Sequence, residues 1–428
     1  MNHRLRESNV AWIGSVPDTW NIVPAKGLFT ERKQRNEPED VHLTPSQKYG
    51  VLPQAEYMQI TGSKVVLNLT GADNMRHVEP GDFISHLRSF QGGLEYSETQ
   101  GKVSAAYTVI TRRTEISGAY YKYLFKSAQY VQALQTTTDQ LRDGQSIRMS
   151  QFKQIPLPQP PLDEQQEIAD YLDRETTQID AFIAKNEELI ALLTERRFAM
   201  VKFAVTNGVG SPTTMVNSGV EWIGEIPAHW EIRPLRWTVN MKTGSTPSGE
   251  NVFSDEPGAQ WIRPDDIDTT GAGSVATRWL TPFGASQGKA TKSGDTLLCT
   301  IGATIGKVGR VDDDGIFFNQ QITSLSWSMD PNFLFWAMVG ARDAIKGLSV
   351  GNTLPILNND KLATLRIPVP PMSEQKRIVQ RISSQTSRVD NSIETAHHAI
   401  ELAKERRAAL ISAAVTGKID VSKEASAI

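Results

Sequence analysis

Two long stretches of the chain carry apolar residues at alternating spacings of four and three positions. The first pattern runs from Ile168 to Phe203, and the second keeps the same register from Ile378 to Ala413. Such spacing places apolar side chains along one face of an α-helix, so it predicts two helices with a packing seam rather than strands. The residues expected to form this seam are Ile168, Leu172, Ile179, Phe182, Leu189, Leu193, Ile378, Ile382, Val389 and Leu410.

Each stretch begins after a pair of prolines, Pro160-Pro161 or Pro370-Pro371. Proline lacks a backbone donor and restricts the residue before it, so it ends whatever element precedes the helix. Asp163 and Ser373 stand where a helix N-cap is expected. A periodic run of about 43 residues corresponds to roughly 65 Å of helix. The predicted helices span residues 161–208 and 371–418.

Side-chain size and charge favour pairing of the two helices with each other. Ala399 and Ala403 occupy the register positions that Leu189 and Leu193 hold in the first helix. Residues 163–206 carry ten acidic and five basic side chains, whereas residues 373–416 carry five and seven. Large residues facing small ones allow close approach, and each exposed ion pair adds about 0–1 kcal/mol. A coiled coil that dimerises the protein is the alternative.

The sequence around the helices is duplicated at an offset of 210 positions. Residues 8–24 read SNVAWIGSVPDTWNIVP and residues 218–234 read SGVEWIGEIPAHWEIRP, while LPQPPLDEQQEIADYL recurs as IPVPPMSEQKRIVQRI. We call these duplicated flanking segments the frames of the two copies. Between the frames, residues 30–150 and 240–360 share little beyond the placement of glycines. A period this long indicates a duplicated domain with its connector, not a solenoid unit. Similar frames with different interiors predict a two-module reader; a plain gene duplication with two drifting cores is the alternative.

Composition is that of an ordinary soluble globular protein, with 39% hydrophobic and 22% charged residues. The apolar stretch Phe333–Ala341 is too short to span a bilayer, and no apolar region follows the basic start as in a signal peptide. Cys299 is the only cysteine, which agrees with a reducing compartment and argues against a structural zinc site. We therefore expect a cytoplasmic protein with no metal and no membrane partner.

The repeated order of domain and helix resembles the specificity subunit of type I restriction-modification systems. The resemblance rests on half-repeats that open with "EWIGEIP..W" and close with "IP.P.PP..EQ" before a long helix, and it covers nearly the whole chain. Gly294–Leu325 also looks like the central segment of a recognition domain in that family, with short strands broken by glycines and Asn319-Gln320-Gln321 near its end. Gly81–Ile110 is a more divergent relative of this segment.

This resemblance implies an α+β fold with two target recognition domains. They are expected to be arranged with pseudo-two-fold symmetry and separated by an antiparallel pair of long helices, a coiled coil. Each domain would read one half of a bipartite, gapped DNA site, and the helices would set the spacing and dock methyltransferase subunits through the seam residues. The expected division is 1–160 for the first recognition domain, 161–208 for the first spacer helix, 209–370 for the second domain, 371–418 for the second helix and 419–428 for a C-terminal tail.

The resemblance also implies a non-catalytic subunit whose partners perform the chemistry. The expected partners are double-stranded DNA and two methyltransferase (modification) subunits. Restriction subunits, which carry the motor and nuclease, are a further expected partner whose presence the sequence leaves open. Adenine methylation and ATP-dependent cleavage would reside in these partner chains, so no catalytic residue and no cofactor is expected here.

The sequence lacks the motifs that such chemistry would need. It contains no glycine-rich loop followed by Lys-Ser/Thr and no Asn/Asp-Pro-Pro-aromatic tetrad. Pro17-Asp18 followed by Glu31-Arg32-Lys33 formally matches a metal-dependent nuclease. The second copy has Pro227-Ala228 in that frame and lacks the carboxylate, so we interpret the pattern as part of the repeated frame.

Net charge, −3 with a pI of about 6.2, argues mildly against nucleic-acid binding. The acidity lies in the first helix, however, and the chain outside the two helices is balanced. Base reading requires forked donors and amides on loops or strand ends, and phosphate contacts require cations or small polar groups. The candidates in the first domain are Arg76, His86, Arg88, Gln91, Arg142, Gln145 and Arg148, and those in the second are Lys242, Ser245, Arg263, Lys289, Lys292, Lys307 and Asn352.

Two other classes of function remain open at this point. A non-catalytic scaffold, whose duplicated domains bind peptides or proteins, would join a methyltransferase without altering its choice of DNA. A self-sufficient nuclease or methyltransferase would show turnover by the isolated chain.

Overall fold

The computed structural model describes residues 4–63, 74–85, 92–136, 147, 149–210, 214–351 and 354–421. The chain divides into two compact units. The first contains Met1–Lys185 and Ala399–Ile428, and the second contains Asn186–His398. Each unit therefore combines one α+β domain with segments of both long helices. Within the described ranges, no helix is both long enough and apolar enough to cross a membrane.

The prediction of two long helices is confirmed. Leu162–Asn207 is a helix of 46 residues and Met372–Val415 is a helix of 44 residues. The predicted N-caps are wrong, because Asp163 and Ser373 already lie inside the first turn. The carbonyl of the second proline in each pair accepts the first helical hydrogen bond, from the backbone N–H of Gln165 at 2.9 Å and of Gln375 at 3.0 Å.

A buried glutamine fastens the start of each long helix to its own domain. The Gln165 amide donates to the Pro160 carbonyl at 2.8 Å and accepts from the Ser117 backbone N–H at 2.9 Å. Gln375 makes the equivalent pair of bonds, at 2.7 Å to the first proline of its pair and at 3.2 Å from the Asp330 backbone N–H. Both side chains are almost fully buried. These bonds account for the recurrence of Glu-Gln after each Pro-Pro.

The first unit consists of short antiparallel strands and short helices. Its largest sheet has four strands in the order Phe29–Glu31, Thr108–Arg112, Phe83–Ser85 and Glu95–Tyr96. The two-stranded pairs are Leu5–Glu7 with Ser15–Pro17, Asn21–Pro24 with Pro156–Gln159, Leu43–Ser46 with Gly50–Pro53, and Arg76–Val78 with Gly101–Val103. The short helices are Ala25–Leu28, Gln54–Thr61, Gly118–Leu124, Ala128–Thr136 and Met149–Phe152.

Aromatic rings dominate the core of the first unit. Phe29 packs edge-on against Phe83, with ring centres 5.7 Å apart, and also contacts Phe125 at 5.4 Å. The buried Tyr120 hydroxyl donates to the Val415 carbonyl at 2.8 Å. This bond ties the last turn of the second long helix into the same core, because it gives an otherwise unsatisfied carbonyl of the helix end a partner.

The second unit has two four-stranded sheets. One has the order Val239–Thr243, Ile322–Trp327, Thr296–Cys299, Val308–Arg310, and the other Phe253–Ser254, Trp279–Leu280, Ala259–Ile262, Phe317–Phe318. The two-stranded pairs are Met215–Asn217 with Glu225–Pro227 and Glu231–Pro234 with Arg366–Val369. The α-helices are Pro282–Ser286, Pro331–Gly340, Arg342–Gly347 and Asn359–Leu362, and the 3-10 helices are Leu235–Trp237 and Pro264–Asp266.

The apolar stretch in the second half forms the central helix of this unit. All residues from Phe333 to Val339 are buried, and the Asp330 carboxylate caps the helix by accepting from two backbone N–H groups at 3.0 and 3.2 Å. A Cβ on Gly340 would lie 2.9 Å from Val205 of the first long helix. Glycine at this position therefore lets the two helices approach closely.

Ion pairs at equivalent positions of the repeat join the long helices in each unit. In the first unit, Arg407 Nε lies 2.9 Å from Asp180 Oδ1. In the second unit, Arg197 Nε lies 2.8 Å from Asp390 Oδ1. Asp180 and Asp390 occupy the same position in the two copies, as do Arg197 and Arg407. Each pair thus joins the aspartate of one helix to the arginine of the other.

Within each unit the two helix segments run antiparallel. In the first unit, Leu172 shares a core with Ile411, and the ion pair lies further along the first helix and earlier along the second. In the second unit, Val201 shares a core with Ile382, and the ion pair lies earlier along the first helix and later along the second.

The predicted seam is only partly buried. Leu193 and Leu410 are half-buried, whereas Phe182 and Leu189 are 48% and 44% exposed, so the seam does not enclose them. On the second helix, the cavity beside Phe182 is lined by Ala399, Leu402, Ala403 and Arg406, and these residues cover the Phe182 ring only in part. The seam residues that are buried are Ile168, Leu172, Ile179, Ile378, Ile382 and Val389.

Candidate nucleic-acid interface

Polar loops of the second unit meet around the buried ring of Trp261. The indole N–H donates to the Ser245 carbonyl at 3.2 Å, and the Ser245 hydroxyl donates to the Gln287 carbonyl at 3.3 Å. Gln287 and Ser248 exchange two further hydrogen bonds of 3.0 and 3.1 Å through the Gln287 side chain. Three segments that are separated in sequence, the loop at residues 245–248, the strand Ala259–Ile262 and the end of the helix Pro282–Ser286, are therefore held together by their own polar groups.

A basic and aromatic patch continues from the same ring. The Arg278 guanidinium lies 4.0 Å from the centre of the Phe253 ring, and that ring packs against Trp261 at 5.0 Å. Arg278 is exposed, and so is Lys289, two residues beyond Gln287. We call Ser245, Trp261, Phe253, Arg278 and Gln287 the Trp261 cluster. Cations, stacked rings and amides are the groups with which proteins contact phosphates and base edges.

Arg263 lies beside this cluster and is held in place. Its Nη2 donates to the Thr277 hydroxyl at 2.7 Å, and its Nε lies 3.4 Å from Asp266 Oδ2. Burial of the Asp266 carboxyl opposes ionisation, but hydrogen bonds from Thr277 and Arg263 outweigh it and hold its pKa below the usual value. An ionised Asp266 therefore orients the guanidinium and offsets part of its charge.

The remaining candidates of the second domain are dispersed. Lys242 lies half-buried in the strand Val239–Thr243, and Lys292 is exposed in a turn. The Lys307 ammonium donates to the Pro264 carbonyl at 2.7 Å. Asn352 lies outside the described residues. The structure thus brings Ser245, Arg263 and Lys289 to the surroundings of Trp261 and places the others elsewhere in the unit.

In the first domain, the structure describes one of the seven candidates. Arg76 is half-buried at the start of the strand Arg76–Val78, with its guanidinium 4.0 Å from the Glu31 carboxylate. The six candidates outside the described residues are His86, Arg88, Gln91, Arg142, Gln145 and Arg148.

Three exposed residues of this surface are not among the candidates: Arg278 and Gln287 of the Trp261 cluster and the neighbouring Gln320. Gln320, which is hydrogen-bonded to Thr246, lies in the Asn-Gln-Gln run that the sequence marks. Arg278 and Gln287 have no comparable signal in the sequence, because their importance depends on pairing with Phe253 and Ser248 across long sequence separations.

One group of possible metal ligands occurs among the described residues: Glu37, Asp40 and His77. The buried His77 Nδ1 and Asp40 Oδ2 are 2.8 Å apart, and the same oxygen accepts from the Glu37 backbone N–H at 2.7 Å. Burial works against ionisation of Asp40, but the hydrogen bond from His77 and that backbone donor hold its pKa below the usual value. These contacts describe a buried pair that joins the Glu37 loop to the strand Arg76–Val78.

The long helices present an apolar groove in the first unit. A cavity of about 430 Å³ is lined by Ile179, Phe182, Leu402 and Ala403, with Arg406 at its edge. Leu402 is 51% exposed, and its equivalent in the first helix, Leu192, is 56% exposed. The duplication therefore leaves one exposed leucine at the same position of each long helix.

Two α+β domains, framed alike and connected by a long helix, define a duplicated recognition protein. The chain belongs to the family described as type I restriction modification DNA specificity domain, whose model matches residues 17–191 and 227–402. It is a type I restriction-modification specificity subunit with two target recognition domains.

Two specificity subunits and one solved structure illustrate what the chain is similar to. The type I restriction enzyme MjaVIII specificity subunit of Methanocaldococcus jannaschii is 23% identical over 423 residues, covering 95% of this chain and 94% of that protein. The EcoBI specificity subunit of Escherichia coli is 23% identical over 287 residues, covering 61% of this chain and 58% of that protein. A solved structure described as showing complex assembly and conformational transition of the type I R-M system has a TM-score of 0.66 at 15% identity, covering 94% of this chain and 99% of that one.

Proposed function

We propose that this chain selects the DNA sequence on which a type I restriction-modification complex acts. Residues 1–160 read one half of a bipartite, gapped target, and residues 209–370 read the other half. The spacer helices at 161–208 and 371–418 set the gap and dock two methyltransferase subunits. The chain itself is non-catalytic: adenine methylation resides in the methyltransferase subunits, and ATP-dependent cleavage resides in restriction subunits.

The observation that carries this proposal is that the flanking segments and helices are duplicated, whereas the sequences between them are not. Two copies of the family domain match the chain, and the buried Gln165 and Gln375 fasten equivalent helix starts to the two domains. The loops around Trp261, in contrast, have no sequence equivalent in the first half. A constant frame with two different reading surfaces is what recognition of two unlike half-sites requires.

The Trp261 cluster is the proposed reading surface of the second domain. Gln287 and Gln320 are exposed amides of the type that pairs with adenine, while Arg278 and Lys289 are exposed cations for guanine or phosphate. Arg278→Ala should therefore change the accepted bases of one half-site, whereas Lys289→Ala should weaken binding to all duplexes alike. Equal effects of both variants on target and non-target duplexes would contradict a reading role for Arg278.

Docking of two methyltransferase subunits is supported by the repeated leucine. Leu192 and Leu402 are exposed at equivalent positions of the long helices, so the duplication offers the same apolar contact twice. In the first unit, Leu402 lines an apolar groove together with Ile179 and Phe182, and contiguous exposed apolar patches mark protein interfaces.

The docking claim can be tested by counting bound subunits with native mass spectrometry. Leu192→Ser or Leu402→Ser should reduce the complex from two methyltransferase copies to one, and the double variant should bind none. Glu401→Ser, which alters the neighbouring exposed residue, is the control and should retain two. Two copies bound to the double variant would refute docking at these leucines.

The function itself is tested by mapping N6-methyladenine across the host genome with and without this gene. We expect loss of one split motif, consisting of two short halves around an unspecified gap. An unchanged methylation pattern in cells that express the neighbouring methyltransferase would favour a scaffold role instead.

A further inference from the structure

A concave pocket of about 320 Å³ lies in the second unit where three elements meet. The first long helix forms one wall, the loop that precedes the strand Val308–Arg310 forms another, and the helix Arg342–Gly347 forms the third. The proposed DNA-reading surface does not include this pocket. The basic and aromatic residues used below are Phe198, Lys307, Arg342 and Lys346.

The pocket is strongly positive. Lys307, Arg342 and Lys346 line it, and none of the described lining residues is an aspartate or glutamate. Asp343 approaches Arg342 Nε at 3.7 Å, but its side chain is 93% exposed and is not part of the lining. A concavity with charge of one sign focuses the electric field and attracts counter-ions, so this pocket favours an anion.

Two of the cations are held in position by contacts within the unit. The Arg342 guanidinium lies over the Phe198 ring, 4.0 Å from its centre. The Lys307 ammonium donates to the Pro264 carbonyl at 2.7 Å. Ordering these long side chains in advance lowers the entropic cost of binding a ligand.

Gly306 lets the loop close against the basic helix. Its φ of +82° belongs to the left-handed region, and a Cβ there would lie 3.2 Å from Arg342 Cγ and 3.3 Å from Lys346 Cγ. A larger residue at this position would have a strained backbone and would push the loop away from the aliphatic parts of the Arg342 and Lys346 side chains. The glycine therefore belongs to the construction of the pocket, and it lies in the glycine-rich segment that the sequence marked.

We propose that this pocket binds a phosphate group. Arginine forms forked hydrogen bonds with phosphate oxygens, and the two lysines add positive charge. The group comes either from the DNA backbone or from a small phosphate compound. The first source rests on the proposed function and would make the pocket a positioning contact, whereas the second does not depend on it.

The test uses the full-length chain with Lys346→Gln, Lys346→Arg and Lys376→Gln. Lys346 is exposed, so its substitution should leave the fold intact, and Lys346→Arg retains the charge. Lys376 is an exposed lysine of the same unit that lies outside the pocket lining, so Lys376→Gln is the matched control for charge.

In the first arm, duplex binding is measured over a range of salt concentrations. If the group belongs to DNA, Lys346→Gln lowers the slope of log affinity against log salt by about 1, and the other two variants leave it unchanged. In the second arm, inorganic pyrophosphate is titrated calorimetrically without DNA. If the source is a small compound, Lys346→Gln weakens that binding about tenfold and Lys346→Arg restores it.

The proposal is overturned if Lys346→Gln matches Lys376→Gln in both arms. The calorimetric arm requires no sequence recognition, so it can still support the pocket if the methylation map refutes the proposed function.

Discussion

The two helix junctions of this chain use the same ion pair in different surroundings. In the second unit, the Arg197 side chain is 7% exposed, and it also donates to the Thr269 and Thr270 carbonyls at 3.1 and 3.2 Å. In the first unit, Arg407 and Asp180 are 38% and 54% exposed. The duplication preserved the residues of the contact, but the loops of each domain determine how far it is buried.

The frames show a second difference of this kind. In the second unit, Glu374 accepts from the Trp230 indole at 3.0 Å and lies 2.7 Å from His229 Nε2. The equivalent of His229 in the first half is Thr19, and Trp20 packs edge-on against the Tyr120 ring with centres 6.4 Å apart. The same tryptophan position is therefore secured by polar contacts in one half and by aromatic packing in the other.

The largest expected effect is a difference in lost stability between variants of the two ion pairs. Arg197→Ala should reduce the free energy of unfolding of the second unit by about 3 kcal/mol, because it removes a buried cation and leaves Asp390 and two carbonyls without their partner. Arg407→Ala should cost the first unit about 0–1 kcal/mol, as an exposed pair does. Urea unfolding of the two variants measures the difference, and equal shifts in the midpoints would contradict it.

A smaller effect is expected at the buried glutamines. Gln165→Ala and Gln375→Ala should each cost about 2 kcal/mol, since each removes two hydrogen bonds at a helix start. If the two frames are equivalent, Gln165→Ala and Gln375→Ala should lower the free energy of unfolding by the same amount. Gln380→Ala, on the exposed face of the second helix, is the control and should stay within about 0.5 kcal/mol in the same unfolding measurement. Unequal losses would show that the frames differ here too.

The smallest expected effect concerns the pH dependence of the second frame. Burial disfavours the charged Glu374 carboxyl, but hydrogen bonds from His229 and Trp230 outweigh this and lower its pKa below the ordinary 4.5. A lowered folded-state pKa contributes stability at pH values above the ordinary one, and this contribution is lost as the pH falls through the folded value. Glu374→Gln should therefore cost about 1 kcal/mol near pH 7.

That cost should begin to shrink as the pH falls below 4.5 and should be lost once the pH passes the lower folded-state pKa, where the carboxyl of the folded protein is neutral as well. Glu394→Gln, at an exposed position of the same helix, provides the control in urea unfolding at several pH values. A cost that is independent of pH would show that ionisation of Glu374 is not what stabilises the frame.

The elements that repeat in sequence are those that could be predicted. The long helices follow from local periodicity and from the prolines before them, so their existence was evident. Their predicted N-caps lie two residues too late, because side-chain preference points to Asp163 and Ser373, whereas the carbonyls of Pro161 and Pro371 accept the first helical hydrogen bonds. The exposure of Phe182 and Leu189 could not be predicted either, since periodicity does not reveal how far the other helix covers each side chain.

The proposed reading surface was predicted only in part. The sequence points to Ser245, Arg263 and Lys289, in places where loops are expected beside glycines or small polar residues. Arg278 and Gln287 depend on contacts with Phe253 and Ser248, which are distant in sequence, so local patterns could not identify them. The repeated ion pair was likewise hidden, although the Glu-Arg-Arg motif that contains Arg197 and Arg407 recurs in both helices.

The most direct test of the account is to lengthen both helices together. Four helix-forming residues would be inserted after Glu188 and after His398, which are equivalent positions 210 residues apart, and N6-methyladenine would then be mapped in the host. Each helix grows by about 6 Å, close to the rise of two base pairs. We predict methylation of the same two half-sites with a gap about two base pairs wider. Methylation with an unchanged gap would contradict the claim that the helices set the spacing of two independent readers.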